Sequence, residues 1–364
     1  MSPWPAEWDD VAMRMLASGI VQLAEQLRSE STVRIPYPVP LQRALDRISA
    51  MSLAVRATPP RSAMELLEWA SRPFGQWPLR LRVEGMDAGE VLVAHGEPSK
   101  ACLEWAVFSG DVEAEVREQR LLKAVLDKCR AHDRPDAYVA FRLLLVQRPA
   151  MSERDLTLQL ARPELALTAN EVRAAYRPAP PETTLGGYAA VCGGCRNLRM
   201  VDGRGRRVCR EWDCPDPVSE AERLPAAEGV VWLSRELRMF IAGPGRAELR
   251  IVRALEDKGI RVGLWPDFDA CDVLPEGLAW PADVKSWGNP VRLARRLTER
   301  PFRPPPGSER GFVVIAKEQT SGRPDYVRTV VRRCQWLRES KHIAVVTEQT
   351  YVNRVVARLR GEVR

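Results

Sequence analysis

Apolar residues recur at three- and four-residue spacing through residues 11–29, where Leu16, Ile20, Leu23 and Leu27 share one face, and this period predicts an amphipathic helix. The proline-rich VRIPYPVP at 33–40 cannot continue it, because proline lacks an amide hydrogen and restricts its predecessor. An extended connector should therefore lead into a second helix at 41–53. Helices are also predicted at 62–70 and 113–131, the latter with Leu121, Leu122 and Val125 inward. Between them PLRLRVEG and GEVLVAHG alternate, which predicts strands near 78–84 and 89–95. Two short helices are expected between 149 and 176, with Ser152 and Thr168 as caps and ARPEL between them. That pair either reads DNA as a helix-turn-helix or packs into a core. The following AYRPAPPETTLGG reads as a linker and sets a domain boundary near 178–186.

The C-terminal third changes period repeatedly. A helix over 246–258 has Ile251, Val252 and Leu255 on one face, and Glu248 falls in the middle of that face. A carboxylate there either pairs with a cation beneath it or snorkels from the first turn. Gly259 suits the residue after a helix, and strands are expected at 260–264, 271–274 and 278–287. Helix at 290–298, strand at 312–316, helix at 325–338, strand at 343–346 and a closing helix at 352–359 complete the pattern. Strands alternating with helices imply a mixed α/β sheet flanked by helices.

Composition narrows the function. The 364 residues carry 55 Lys and Arg against 48 Asp and Glu, a net charge of +7, and arginine dominates the basic set, which favours polyanionic partners. No apolar run is long enough to span a bilayer and MSPWPAEWDD does not resemble a signal peptide, so a cytoplasmic location without membrane contact is expected. His95, His132 and His342 are scattered without motif context, which argues against histidine-metal nucleases and a Ser-His-Asp triad. His95 with Asp111 is a conceivable polar pair, although ordinary loop polarity accounts for both.

Four of the eight cysteines cluster. CGGC at 192–195 is followed after thirteen residues by Cys209 and then by Cys214, with DGRGR at 202–206 as a hairpin turn between the halves. Cys192, Cys195, Cys209 and Cys214 suit a closed, structural Zn²⁺ site of the ribbon type. The four-residue gap in the second pair makes Cys214 the least regular ligand. Arg196, Arg199, Arg204, Arg206, Arg207 and Arg210 either face a polyanion or form a solvated surface.

The acidic WPDFDACDV and the strand around Asp283 and Lys285 carry the candidate catalysis. Asp283 and Lys285, two residues apart, project from one face of a strand. A preceding antiparallel strand would bring Asp272 beside Asp283, with Asp267 and Asp269 as alternatives to it. Two carboxylates can hold a hard cation against a phosphodiester while a lysine orients the attacking water. Lys317, Gln319 and Thr320, at a strand end, are either substrate contacts or ordinary loop polarity.

Glu248, then Asp272, ten residues, and Asp283-x-Lys285 resembles the PD-(D/E)xK restriction-endonuclease superfamily. Together with the PYPVP connector, the four-Cys ribbon, LWPDFDACDV and WPADVKSW, the chain resembles the restriction-endonuclease-like proteins encoded beside PIWI-RE proteins in bacterial three-gene islands. The resemblance implies a C-terminal restriction-endonuclease-like α/β domain at 230–364, preceded by a zinc ribbon at 187–222 and a mainly helical, partner-docking region at 1–180. It further implies a Mg²⁺- or Mn²⁺-dependent endonuclease in defence against plasmids or phage, with Glu248, Asp272, Asp283 and Lys285 as catalytic residues and Asp272 and Asp283 on the metal. DNA is the expected substrate, with RNA or an RNA–DNA hybrid as alternatives. A PIWI-RE protein and a DNA helicase are the implied partners. The rival class is a nonenzymatic binding module built on the ribbon and the arginine faces.

Overall fold

The structure is a computed structural model and describes all residues except 1–3, 31, 34, 110–116, 212–213 and 362–364. The chain divides into two compact units, residues 1–116 with 287–296, and residues 117–286 with 297–364.

In the first unit, helices Ala6–Glu30 and Val39–Ala54 meet at Gly19, where a Cβ would come within 2.4 Å of the Leu41 nitrogen. Helices Ala63–Ala70 and Lys100–Ala106 are capped by Ser62 and Ser99. The strands expected at 78–84 and 89–95 are not formed as such. Leu79, Leu81 and Val83 do alternate into the core, but this extended stretch has no ladder partner. The Arg82 amide donates to Asp9 Oδ2 at 2.9 Å, and the local ladder is limited to Val93–Ala94 with Glu97–Pro98. Period-two burial specified the faces, while the pairing was taken by a side chain.

Helix Pro290–Glu299 forms as expected, yet its residues up to Arg296 belong to this unit. The Arg292 guanidinium, 1% exposed, reaches Glu104 Oε2 at 2.8 Å and Glu90 at 2.7 Å, and Arg295 reaches Asp10 at 2.8 Å. Their charge is spent internally. Asp111, and with it the His95–Asp111 pair, lies outside the described residues, as does the start of the helix expected from 113.

The second unit is built on a five-stranded sheet of β1 (Val262–Leu264), β2 (Val273–Pro275), β3 (Ala282–Lys285), β4 (Gly311–Ile315) and β5 (Ile343–Thr347), in that spatial order. The first three strands form an antiparallel meander, and β3, β4 and β5 run parallel. The sequence GFVVI of β4 is buried at every position, as suits a central parallel strand covered on both faces. Helices α1 (Pro135–Gln147), α2 (Gly243–Glu256) and α3 (Glu348–Leu359) pack around the sheet and its approach. The helix expected at 325–338 is interrupted at Cys334, giving Tyr326–Arg333 and Gln335–Glu339.

Residues 117–180 belong to this unit. Tyr138, Phe141 and Leu145 of α1 share one core with Leu237, Ile241 and Trp265. Strands Ala150–Ser152 and Tyr176–Pro178 both pair with Val230–Leu233. The segment expected as a linker is therefore a sheet edge followed by the turn Pro181–Thr183 and a strand at Thr184–Leu185, since prolines suit edge strands and turn starts. Helices Glu153–Leu160 and Ala169–Ala175 form, with Ser152 capping the first. Leu156, Val172 and Ala175 lie in the same core, which accounts for the pair by packing.

Candidate active site

Helix α2 follows a π-helical turn at Arg238–Ala242 and sets Glu248 at 1% exposure. Its apolar neighbours Ile251, Val252 and Leu255 enter the core beside the sheet, so the carboxylate is carried inward with them. The sequence anticipated a cation or a snorkelling side chain. Glu248 does face a cation, the Arg142 guanidinium at 3.3 Å, but it comes from helix α1 and not from the sheet beneath, and the carboxylate also accepts from Trp265 Nε1 at 2.6 Å. Burial raises its pKa against the pull of Arg142.

The meander places the other candidates. Val273 pairs with Ala282, so the antiparallel register sets Asp272 opposite Asp283. The Asp272 amide donates to the Ala282 carbonyl at 2.9 Å, and its Oδ2 accepts from the Val284 amide at 2.6 Å. On β3, Ala282 and Val284 are buried while Asp283 and Lys285 share the half-exposed face. Lys285 Nζ donates to Asp283 Oδ1 at 2.6 Å. Burial, and then the charges of Glu248, Asp283 and Asp269, push the Asp272 carboxyl well above the usual range. An acid so placed is one whose ionised form a cation would stabilise.

The acidic turn differs from its expected role. Trp265, Asp267, Phe268 and Asp269 all have positive φ, between 48° and 71°, so WPDFD makes a left-handed turn that costs roughly 1 kcal/mol or more per non-glycine residue. What holds it is Asp269, which accepts from Tyr138 Oη at 2.9 Å and from Arg142 Nη1 at 2.5 Å, while the buried Trp265 ring lies under the Arg142 guanidinium at 4.2 Å. Asp269 thus closes an ion-pair network, and Asp267 is exposed. Arg142 Nη1 also comes within 4.0 Å of Asp272 Oδ1. Sequence reading missed both α1 and Arg142. The available signal was a lone arginine inside AYVAFRLLLV, since a charge in an all-apolar helix must find partners.

Gln319 is buried and its amide reaches Ser286 Oγ at 3.2 Å, directly after Lys285. Lys317 is exposed, and Thr320 bonds back to the Lys317 carbonyl. Of the three polar residues proposed at this strand end, only Gln319 is tied to the strand carrying Asp283 and Lys285.

The four cysteines converge. Cys192 and Cys214 Sγ are 3.5 Å apart, Cys195 and Cys209 likewise, and all four sulfurs lie within 4.8 Å of one another. Tetrahedral Zn–S bonds of about 2.3 Å imply sulfur separations of about 3.8 Å, so the thiols fit zinc, Cys214 included. Among the described residues this is the one such group of three or more Cys, His, Asp or Glu. Both glycines of CGGC are required by space, since a Cβ on Gly193 would lie 1.9 Å from Ser219 Oγ and one on Gly194 2.5 Å from the Asp216 nitrogen. DGRGR does form the hairpin turn, between strands Met200–Val201 and Arg207–Val208, with Asp202 accepting from the Arg204 and Arg206 amides.

The ribbon arginines mostly brace the ribbon. Arg196 pairs with Glu222, Arg206 with Asp202, Arg199 donates to the Val218 and Arg207 carbonyls, and Arg207 lies over the Tyr188 ring. Between Cys209 and Cys214, Glu211 pairs with Arg238 at 2.9 Å, which connects the cysteine loop to the π turn that starts α2. Zinc-chelated removal, or Cys192→Ser, should therefore release about one zinc per chain and destabilise the unit, because metal-binding energy is also folding energy. Metal analysis with thermal melting checks this; metal-free protein of unchanged stability would contradict it.

A helix bearing an inward glutamate, an antiparallel meander with an aspartate opposite Asp-x-Lys, and parallel strands completing the sheet define a restriction-endonuclease-like domain. Residues 245–363 match the family model described as REase associating with pPIWI_RE, and residues 12–152 match the one described as pPIWI_RE three-gene island domain Y. The chain belongs to the restriction-endonuclease-like proteins of PIWI-RE islands. No curated protein and no solved structure matches it. Among the described residues no helix is long and apolar enough to cross a membrane.

Proposed function

We propose that this chain is a metal-dependent endonuclease that hydrolyses phosphodiester bonds of DNA in a defence system acting with a PIWI-RE partner. The observation that carries the reading is the register that sets Asp272 opposite Asp283, with Lys285 on the same face of β3 and Glu248 buried behind. Asp272 and Asp283 would hold Mg²⁺ or Mn²⁺, which when bound polarises the scissile phosphate. Asp272 is fixed for this by the Val284 amide, so its carboxylate loses little freedom on binding. Lys285, kept beside Asp283, presents its ammonium to the attacking water and favours the hydroxide form. Glu248, Asp272, Asp283 and Lys285 remain the proposed catalytic set, with Glu248 acting through the network it organises. A structural zinc would occupy the four thiols.

The binding-module alternative loses part of its basic surface, because Arg292 is buried in ion pairs and Arg199 and Arg207 donate to backbone carbonyls. The test is a cleavage assay across DNA, RNA and hybrid substrates with Mg²⁺, with Mn²⁺ and with chelator. Metal-dependent cutting of DNA is expected. Substrate binding without cleavage under any metal would sink the enzyme reading.

Specificity is proposed to come from outside the chain. Adding the PIWI-RE partner should raise the cleavage rate or restrict the sites, through docking on the N-terminal region. Cleavage by the isolated chain at one defined sequence, as fast as with the partner, would show that it reads its own target.

A further inference from the structure

We infer that Arg142, which lies outside the segment matched as the nuclease, is a positioning residue of the cleavage centre: by engaging Glu248 and Asp269 it reserves Asp272 and Asp283 for the divalent cation. The inference rests on the nuclease reading above.

The charge balance of the cluster motivates it. Arg142 reaches Glu248, Asp269 and Asp272, and Lys285 reaches Asp283, which stands opposite Asp272 in the ladder, so among the described residues four carboxylates share these two basic side chains. With all four acids ionised, the state a bound cation would favour, two negative charges are left over, which one divalent ion would balance. Without Arg142 the excess would be three, and Glu248 and Asp269 would compete as ligands. The guanidinium is fixed from several sides, with Nη2 on Glu248, Nη1 on Asp269 and the Trp265 ring against its plane. Trp265 and Asp269 are themselves the two ends of the left-handed turn, so the same residue that sets the charge also sets the turn leading into Asp272. Its fork spans two carboxylates at once, which an ammonium could not do in one position. Arg142 sits in the stretch matched by island domain Y, so the centre draws on both matched segments.

The experiment uses the full-length, zinc-loaded chain. Ca²⁺ binding is titrated calorimetrically, since this hard cation avoids the thiolates, and cleavage is measured at saturating Mg²⁺. Arg142→Met should bind Ca²⁺ at least about threefold tighter, because a repelling charge is gone, while its cleavage falls about tenfold or more from lost positioning. Arg142→Lys should bind Ca²⁺ like the parent and still cleave about tenfold more slowly. A folded Arg142→Met with parental Ca²⁺ affinity overturns the inference, as does parental cleavage by either variant. If Arg142→Met does not melt cooperatively, the Lys variant decides by its rate at unchanged melting temperature. A parent chain that neither binds Ca²⁺ nor cleaves overturns the nuclease reading itself, a different and separable result.

Discussion

Asp283→Ala and Lys285→Ala are each expected to lower metal-dependent cleavage by about a hundredfold or more, equivalent to about 2.7 kcal/mol of transition-state stabilisation, while nucleic-acid binding persists. The two side chains leave β3 on its half-exposed face and contact each other at 2.6 Å, so neither is needed to fill the core. Removing Asp283 also leaves Lys285 without this carboxylate, so the variants should resemble one another more than independent losses would. The double variant should then be little worse than either single one, as befits residues acting as a unit. Each variant's melting temperature is measured beside its rate, so that loss of cleavage in a folded chain is separated from loss of the fold. Full activity in Lys285→Ala would remove it from the mechanism. An Asp272→Ala variant losing cleavage where Asp267→Ala does not would separate the acid opposite Asp283 from the exposed one on the turn.

Much of the sheet and the acid order was legible because it depends on local pattern. Alternation around Val284 told which side Asp283 faces, and the distance from Asp272 to Asp283 suited a short meander. The buried face of α2 placed Glu248 inward, but its partner came from Arg142, over a hundred residues earlier, and no period in the sequence encodes that pairing. Helix α1 itself was overlooked because PDAYVAFRLLLVQ is apolar nearly all round and so lacks the stripe that marks a surface helix. The segment at 178–186 misled for another reason: prolines that read as linker instead terminate an edge strand paired with Val231–Leu233. In the arginine-rich ribbon, Glu222, Asp202 and backbone carbonyls take up part of the charge, while Arg204 and Arg206 stay exposed. Charge counts report composition; they do not report who is already paired.

A chain begun at residue 181 is expected not to fold into an active nuclease, although the matched segment starts only at 245. A purely partner-docking role for residues 1–180, the expectation from the sequence, would leave basal activity intact after their loss. The structure reverses it for two reasons. First, truncation removes Arg142 and Tyr138, so Glu248 and Asp269 lose the partners that hold them and the left-handed turn. Second, it strips Phe141, Leu145, Val172 and Tyr176 from the core that contains Leu237, Ile241 and Trp265, and it removes both partners of strand Val230–Leu233. Each large core side chain lost is worth about 2–5 kcal/mol, against a total stability of about 5–15 kcal/mol for a typical domain. The deficit exceeds the reserve. Circular dichroism melting should show no cooperative transition for the truncated chain, and cleavage should be undetectable with Mg²⁺ or Mn²⁺. A truncated protein that melts cooperatively and cuts at the parental basal rate would show that the nuclease segment folds alone and that Arg142 is dispensable to it.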